Sequence, residues 1–174
     1  CLVIGHEPGG GTKGERKWNI KVATLLAPKL EALGATVFIY THRTASYTSR
    51  CNEMRTGVKK HMPDADCVIL MHYNAFDKKS ANGHEFHYYG TPALAKCFRD
   101  SWQATYPWSR PRQANGILHN PNGRGSQMLR KAPAAAVLLE PFFRSNPKEA
   151  NILLDDHENV ATSYSNAISN FLLL

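Results

Sequence analysis

Four side chains could together carry out hydrolysis: His6, Glu15, His72 and Glu140. His6 follows a short apolar segment at residues 1–5. His72 closes the unbroken apolar run 67–71, the pattern of a strand buried on both faces. Open α/β sheets place their chemistry at the carboxyl ends of such strands. A lone histidine there is more readily read as a satisfied core residue; matching residues elsewhere make it a candidate ligand. Glu15 ends a loop containing Gly9, Gly10, Gly11 and Gly14, tight enough to return it beside His6. Two imidazoles and a carboxylate are a donor set for catalytic zinc, which uses three protein ligands at about 2.0–2.2 Å and keeps a fourth position open. Glu140 ends a second apolar run, 134–139, ahead of Pro141-Phe142-Phe143. A carboxyl in that place is desolvated and raised in pKa, as a general base acting on water requires. Its burial is costly without a positive neighbour. A metal ion is one such neighbour, and Arg144, in a buried ion pair, is the other.

The elements that must position these residues can be read in order. Residues 1–5 form a first strand running into the glycine loop, where Lys13 is followed by Gly14 rather than the Ser or Thr of a phosphate-cradling loop. Trp18, Val22, Leu25, Leu26, Leu30 and Leu33 recur at helical spacing up to Gly34. Pro28 inside that pattern should kink the helix or mark a late start, since an interior proline costs about 3 kcal/mol. A second strand is expected over 35–40. A helix capped by Ser46 or Thr48 should then turn Cys51, Met54, Val58 and His61 inward. Residues 83–89 read as another strand, and Thr91-Pro92 opens a helix through Leu94, Ala95, Phe98 and Trp102, with the proline in its first turn. Residues 107–125, rich in Pro, Gly, Asn and Arg, read as an irregular surface loop and candidate lid. Pro147 begins a short helix, and Asp155 or Asp156 caps a last one carrying Val160, Tyr164, Ile168 and Phe171. Alternating strands and helices imply an α/β fold: an open, mostly parallel twisted sheet with helices on both faces, in one domain over 1–174. The strand-end residues His6, His72 and Glu140 would then share one rim.

Composition narrows the function classes. Apolar residues make up 43% and charged residues 20%, as in a globular protein, and no apolar run approaches the ~20 residues of a membrane span. No basic-then-apolar leader precedes the first strand, so synthesis in the cytoplasm with later release is the expectation. Twenty-one Lys and Arg against 14 acidic residues give +7, which favours a polyanionic partner. The charges are scattered, without a basic arm or helix, so an anionic wall or outer-membrane polymer suits them better than nucleic acid. Cys1, Cys51, Cys67 and Cys97 lack metal-binding or redox spacing and read as reduced structural thiols.

Five segments, in order, resemble one family, the zinc-dependent N-acetylmuramoyl-L-alanine amidases of the type 3 class, found in bacterial autolysins and phage endolysins. They are Gly5-His6 with its glycines; Glu15 with Asn19; Arg50 and Ala65-Asp66 leading to His72-Tyr73-Asn74-Ala75; Gly83-His84-Glu85 with Tyr88; and Pro133 through Glu140 to Ser145-Asn146-Pro147. The resemblance runs nearly end to end. It implies zinc on His6, Glu15 and His72, Glu140 as general base, and hydrolysis of the amide joining N-acetylmuramic acid to L-alanine of the stem peptide. It also suggests that Glu85 orients a ligand imidazole, a strand carboxylate paired with a nearby Lys or Arg being the equal alternative, and that Asn74 holds the loop after His72 or meets the peptide. The chain departs from the family pattern in three places. Glu7-Pro8 follows the first histidine where the family has Gly, and the loop to Glu15 is short, so Glu7 is a rival third ligand; Glu15 is favoured because Asn19 and a helix follow it in register. Pro141 and Phe142 stand where the family has a small residue and Gly, which would reshape the floor of the site.

Deployment as an endolysin, acting as a monomer on peptidoglycan after release, is the expectation that follows. His84, His87 and His119 are expected at the surface or in a groove, away from any metal. Two other readings remain open at this level. A zinc peptidase or carboxypeptidase would use the same ligands and base. A non-catalytic basic module binding wall polymer or nucleic acid would give no reason for a buried Glu140.

Overall fold

The computed structural model describes residues 1–44 and 46–173, with the Ala114 side chain outside the description. Six strands form one sheet: β1 (Leu2–Ile4), β2 (Ile39–Thr41), β3 (Cys67–Met71), β4 (Glu85–Tyr88), β5 (Ile117–His119) and β6 (Ala135–Glu140). Their order is β2-β1-β3-β6-β4-β5. The first four in that order are parallel, β4 runs antiparallel to β6, and β5 runs parallel to β4. The expected open, mostly parallel sheet in a single domain is what forms.

Strands β3 and β6 are central, and their unbroken apolar runs serve a core on each face. On one face, Ile4, Ile69, Met71, Val137 and Leu139 pack with helices α1 (Glu15–Glu31), α3 (Ala93–Thr105) and α6 (His157–Leu172). On the other, Val3, Val68, Leu70 and Leu138 meet α2 (Tyr47–His61) and α4 (Ser126–Lys131). Alternate residues of one strand point to opposite faces, which is why β1, β3 and β6 each feed both clusters. The remaining helix, α5 (Pro147–Leu153), begins with Asn146 accepting from the Lys148 and Glu149 backbone N–H groups.

Several local expectations are corrected. Helix α1 is continuous across Pro28. The proline falls in the last turn, where the ring forfeits one ladder bond and Ala32 N still donates to Pro28 O at 3.0 Å. His61 ends α2 and is exposed, stacked on Phe38 at 4.9 Å instead of turned into the core. Strand β2 is shorter than the run 35–40. Pro92 precedes the first helical residue of α3 as its cap. Residues 107–125 are more than a loop: a 3-10 turn at Ala114–Gly116 leads into β5, a three-residue edge strand. Helix α4 was also not foreseen.

Candidate active site

Topology places the candidate residues on one rim. Strands β1, β3 and β6 are parallel, so His6 just beyond β1, His72 just beyond β3 and Glu140 at the end of β6 emerge on the same edge. The reversed β4 brings its amino end there as well, setting Glu85 directly across from Glu140.

Ligand atoms of His6, Glu15 and His72 lie within 4.8 Å of one another. Glu15 Oε1 is 2.9 Å from His72 Nδ1 and 3.3 Å from His6 Nε2. The two imidazoles meet edge to face, with centroids 5.0 Å apart. Ligands about 2.1 Å from a tetrahedral ion are spaced roughly 3.4 Å apart, so this N2O set fits zinc with small adjustments. The second oxygen, Glu15 Oε2, accepts from Thr12 N at 3.0 Å, which fixes the carboxylate plane. Burial pushes the Glu15 carboxyl up, but its hydrogen bonds to His6 and His72 outweigh that and hold it at about 2. Burial lowers the His72 pKa, favouring the neutral imidazole that a metal needs.

The scaffold is local and tight. His6 itself adopts φ 63°, an uncommon conformation for a non-glycine residue and one found where backbones are constrained for function. Gly11, at φ +78°, lies so close that a Cβ would sit 2.5 Å from the His6 ring. The Met71 carbonyl, directly before His72, accepts from both Gly5 N and Asn19 Nδ2 at 2.9 Å, tying β1, α1 and β3 together at the triad. Phe142 is fully buried against Trp18 and Tyr73, with centroids 5.3 and 5.0 Å away. It thus joins an aromatic cluster that includes Tyr73, the residue after His72.

Glu140 Oε2 is buried without a hydrogen-bond partner. Burial, joined by the carboxylates of Glu15 and Glu85, raises its pKa well above the ordinary carboxyl range, with Arg124 pulling the other way. Among the described residues no ion pair joins Arg144 to Glu140; the Arg144 backbone N–H donates to Asn74 O at 2.8 Å. Glu85 does not orient a triad imidazole. It accepts from Arg112 Nε at 2.8 Å and Asn74 Nδ2 at 3.3 Å, with His87 Nε2 at 3.6 Å. Asn74 thereby links the chain after His72 to β4, and its N–H donates to Phe142 O. Glu7 pairs with Arg50 and stands outside the triad. His84, expected near the surface, is fully buried, with Nδ1 3.0 Å from Ser109 Oγ.

Three residues near the rim were not singled out from sequence. His42 follows β2, is 1% exposed, and has both ring nitrogens unpartnered. Burial and the neighbouring His72 lower its pKa to about 4. Its position just past an apolar run is the signal that singled out His72. Arg112 and Arg124 lay within the presumed loop and carried no such signal.

An open α/β sheet bearing a His-Glu-His triad and a buried free carboxyl on its carboxyl rim has the architecture of a hydrolase. The chain belongs to the N-acetylmuramoyl-L-alanine amidase (Amidase_3) family, whose pattern matches residues 2–170. It is 30% identical over 166 residues to the probable cell wall amidase LytH of Staphylococcus aureus, an alignment covering 88% of this chain and 51% of that protein. The chain therefore spans about half the length of the curated relatives it matches. In fold it resembles the catalytic domain of the CD27L endolysin targeting Clostridia difficile (TM-score 0.79, 21% identity, 98% and 96% of the two chains). It also resembles the Clostridioides difficile CwlD amidase, solved in complex with the GerS lipoprotein (0.78, 20%, 99% and 96%). A third likeness is AmiC2 of Nostoc punctiforme (0.77, 20%, 99% and 96%).

Proposed function

We propose that the protein hydrolyses the amide between N-acetylmuramic acid and L-alanine in peptidoglycan, with one zinc ion held by His6, Glu15 and His72 and with Glu140 as general base. The observation that carries this is the Glu140 carboxyl, whose Oε2 is buried and unpartnered, on the same rim as the compact His6-Glu15-His72 triad, in a chain of the amidase family. The ion, when bound, supplies Lewis acidity toward the scissile carbonyl and toward water. His6 offers Nε2 and His72 offers Nδ1, while the Thr12 N–H holds Glu15 so that Oε1 faces both rings. Glu140 Oε2 takes the proton of the attacking water and returns it to the leaving L-alanine nitrogen. Its raised pKa suits both transfers, because a base of ordinary carboxylate strength would hold the proton too weakly. The +7 charge supports action on an anionic wall, and we extend the reading to endolysin-like deployment, with cytoplasmic synthesis followed by release onto that wall.

Digestion of purified peptidoglycan, with and without a chelator, tests the chemistry by mass spectrometry of the soluble products. Intact stem peptides with a free L-alanine amine, lost on chelation and restored by zinc, are expected. Cleavage inside the stem would assign a peptidase instead, and wall binding without release would assign a binding module. Lysis from outside by added protein, compared with lysis only after expression inside cells with a permeabilised membrane, tests the deployment.

A further inference from the structure

Arg112 lies on the catalytic rim, and the hydrolysis described above leaves it unused. Three contacts hold it. Its Nε donates to Glu85 Oε1 at 2.8 Å. Its guanidinium lies over the Phe143 ring, 4.7 Å from the centroid. Its backbone N–H donates to His84 O at 3.1 Å while its carbonyl accepts from Gly116 N at 2.7 Å. A long cation fixed at its backbone and at its guanidinium has already lost much of the rotamer freedom that binding would otherwise cost.

The position matters as much as the rigidity. Directly opposed residues of an antiparallel pair project from the same face, with Cβ atoms about 4.5–5.5 Å apart, so Glu85 and Glu140 stand side by side. Arg112 is therefore one side chain removed from the general base. Asn74, two residues past the His72 ligand, holds the other Glu85 oxygen from the opposite side. Contact at Nε engages the side edge of the guanidinium fork; the end edge, Nη1 with Nη2, is a separate pair of donors shaped for a second carboxylate. The side chain is 33% exposed, so the guanidinium is within reach of a ligand.

We infer that Arg112 forms a carboxylate-binding subsite beside the scissile amide, taking a carboxylate of the stem peptide and favouring stems in which that group is free over stems in which it is amidated. The group with the right chemistry is the α-carboxylate of the acidic residue that follows L-alanine. Glu85 and Phe143 serve this subsite by holding the guanidinium; Glu85 is a positioning residue. This rests on the amidase reading.

The test is hydrolysis of two synthetic N-acetylmuramoyl peptides differing only in whether that carboxylate is free or amidated, compared by kcat/KM. The zinc-loaded wild-type protein should prefer the free acid by about tenfold or more, the worth of one charge-assisted pair. In Arg112→Gln the ratio of the two values should fall toward unity. Arg112→Lys, which keeps the charge and loses the fork, should retain part of it. Equal hydrolysis of both peptides by the wild-type protein would overturn the subsite and leave the amidase reading standing, as would a preference unchanged in Arg112→Gln. Hydrolysis of neither would overturn both.

Discussion

Replacing Glu140 with Gln should separate activity from stability. The substitution preserves shape and removes both the charge and the proton-accepting oxygen. As the proposed general base, Glu140 should account for about 10²–10⁴-fold in turnover. As a buried carboxyl with an unpartnered Oε2, flanked by Glu15 and Glu85, it also burdens the fold. Gln removes the charge that burial and the two neighbouring carboxylates disfavour, so the variant should melt a few degrees higher once metal is chelated. The pH dependence sharpens the expectation. Its folded pKa lies well above the ordinary 4.5, so above pH 4.5 the native state binds more protons than the unfolded one. Stability due to this residue is therefore lost as pH rises, and the gain in Glu140→Gln should be larger at pH 8 than at pH 5. Calorimetric melting of both chelated proteins at the two pH values, with peptidoglycan release assayed after zinc loading, measures everything required. Turnover within tenfold of wild type would place the base elsewhere. A melting temperature that is lower at both pH values would show that the carboxyl is satisfied in the fold, contrary to its burial.

The other expectations concern the ligands, the loop and a distant histidine. His72→Ala or Glu15→Ala should reduce retained zinc from about one ion per chain to a small fraction after desalting, by elemental analysis, with far-ultraviolet circular dichroism unchanged. Gly11→Ala forces a Cβ to within 2.5 Å of the His6 ring at φ +78° and should weaken zinc binding at least tenfold by titration; unchanged affinity would mean that the loop has slack. His84 is buried, and that burial lowers its pKa from 6.5 to about 4. The unfolded chain binds the extra proton first, so this contribution is complete above pH 6.5 and is lost as pH falls through about 4, amounting to at most about 3 kcal/mol. His84→Gln should flatten the denaturant-derived stability profile over that window, and an unaltered slope would refute the assignment.

Much was legible in the sequence because it is written in short-range pattern. The runs 67–71 and 134–139 declare doubly buried strands, and the helical recurrence from Trp18 to Leu30 declares α1. Placing His6, His72 and Glu140 on one rim needs only the rule that parallel strands end together. What was misread involves long-range competition. Residues 117–119 have no strand pattern of their own and become β5 because β4 offers an open edge. His84 looks polar and exposed in sequence, yet Ser109 supplies the hydrogen bond that lets it be buried. Pro28 is a local matter: α1 runs on to Glu31 with the proline in its last turn, so little helix follows it.

The chain by itself determined the element types, the parallel core and the donor residues, since each follows from hydrophobic period, glycine placement and side-chain chemistry within a few positions. Only the tertiary structure decided which charges meet. Glu7 is drawn to Arg50, 43 residues away, and so leaves Glu15 to the two imidazoles. Arg112 holds Glu85, because reversing β4 turns its amino end to the rim where the 107–116 segment crosses. Glu140 Oε2 is left without a hydrogen-bond partner there. Its neighbours are set by strand order and direction, which no local pattern encodes.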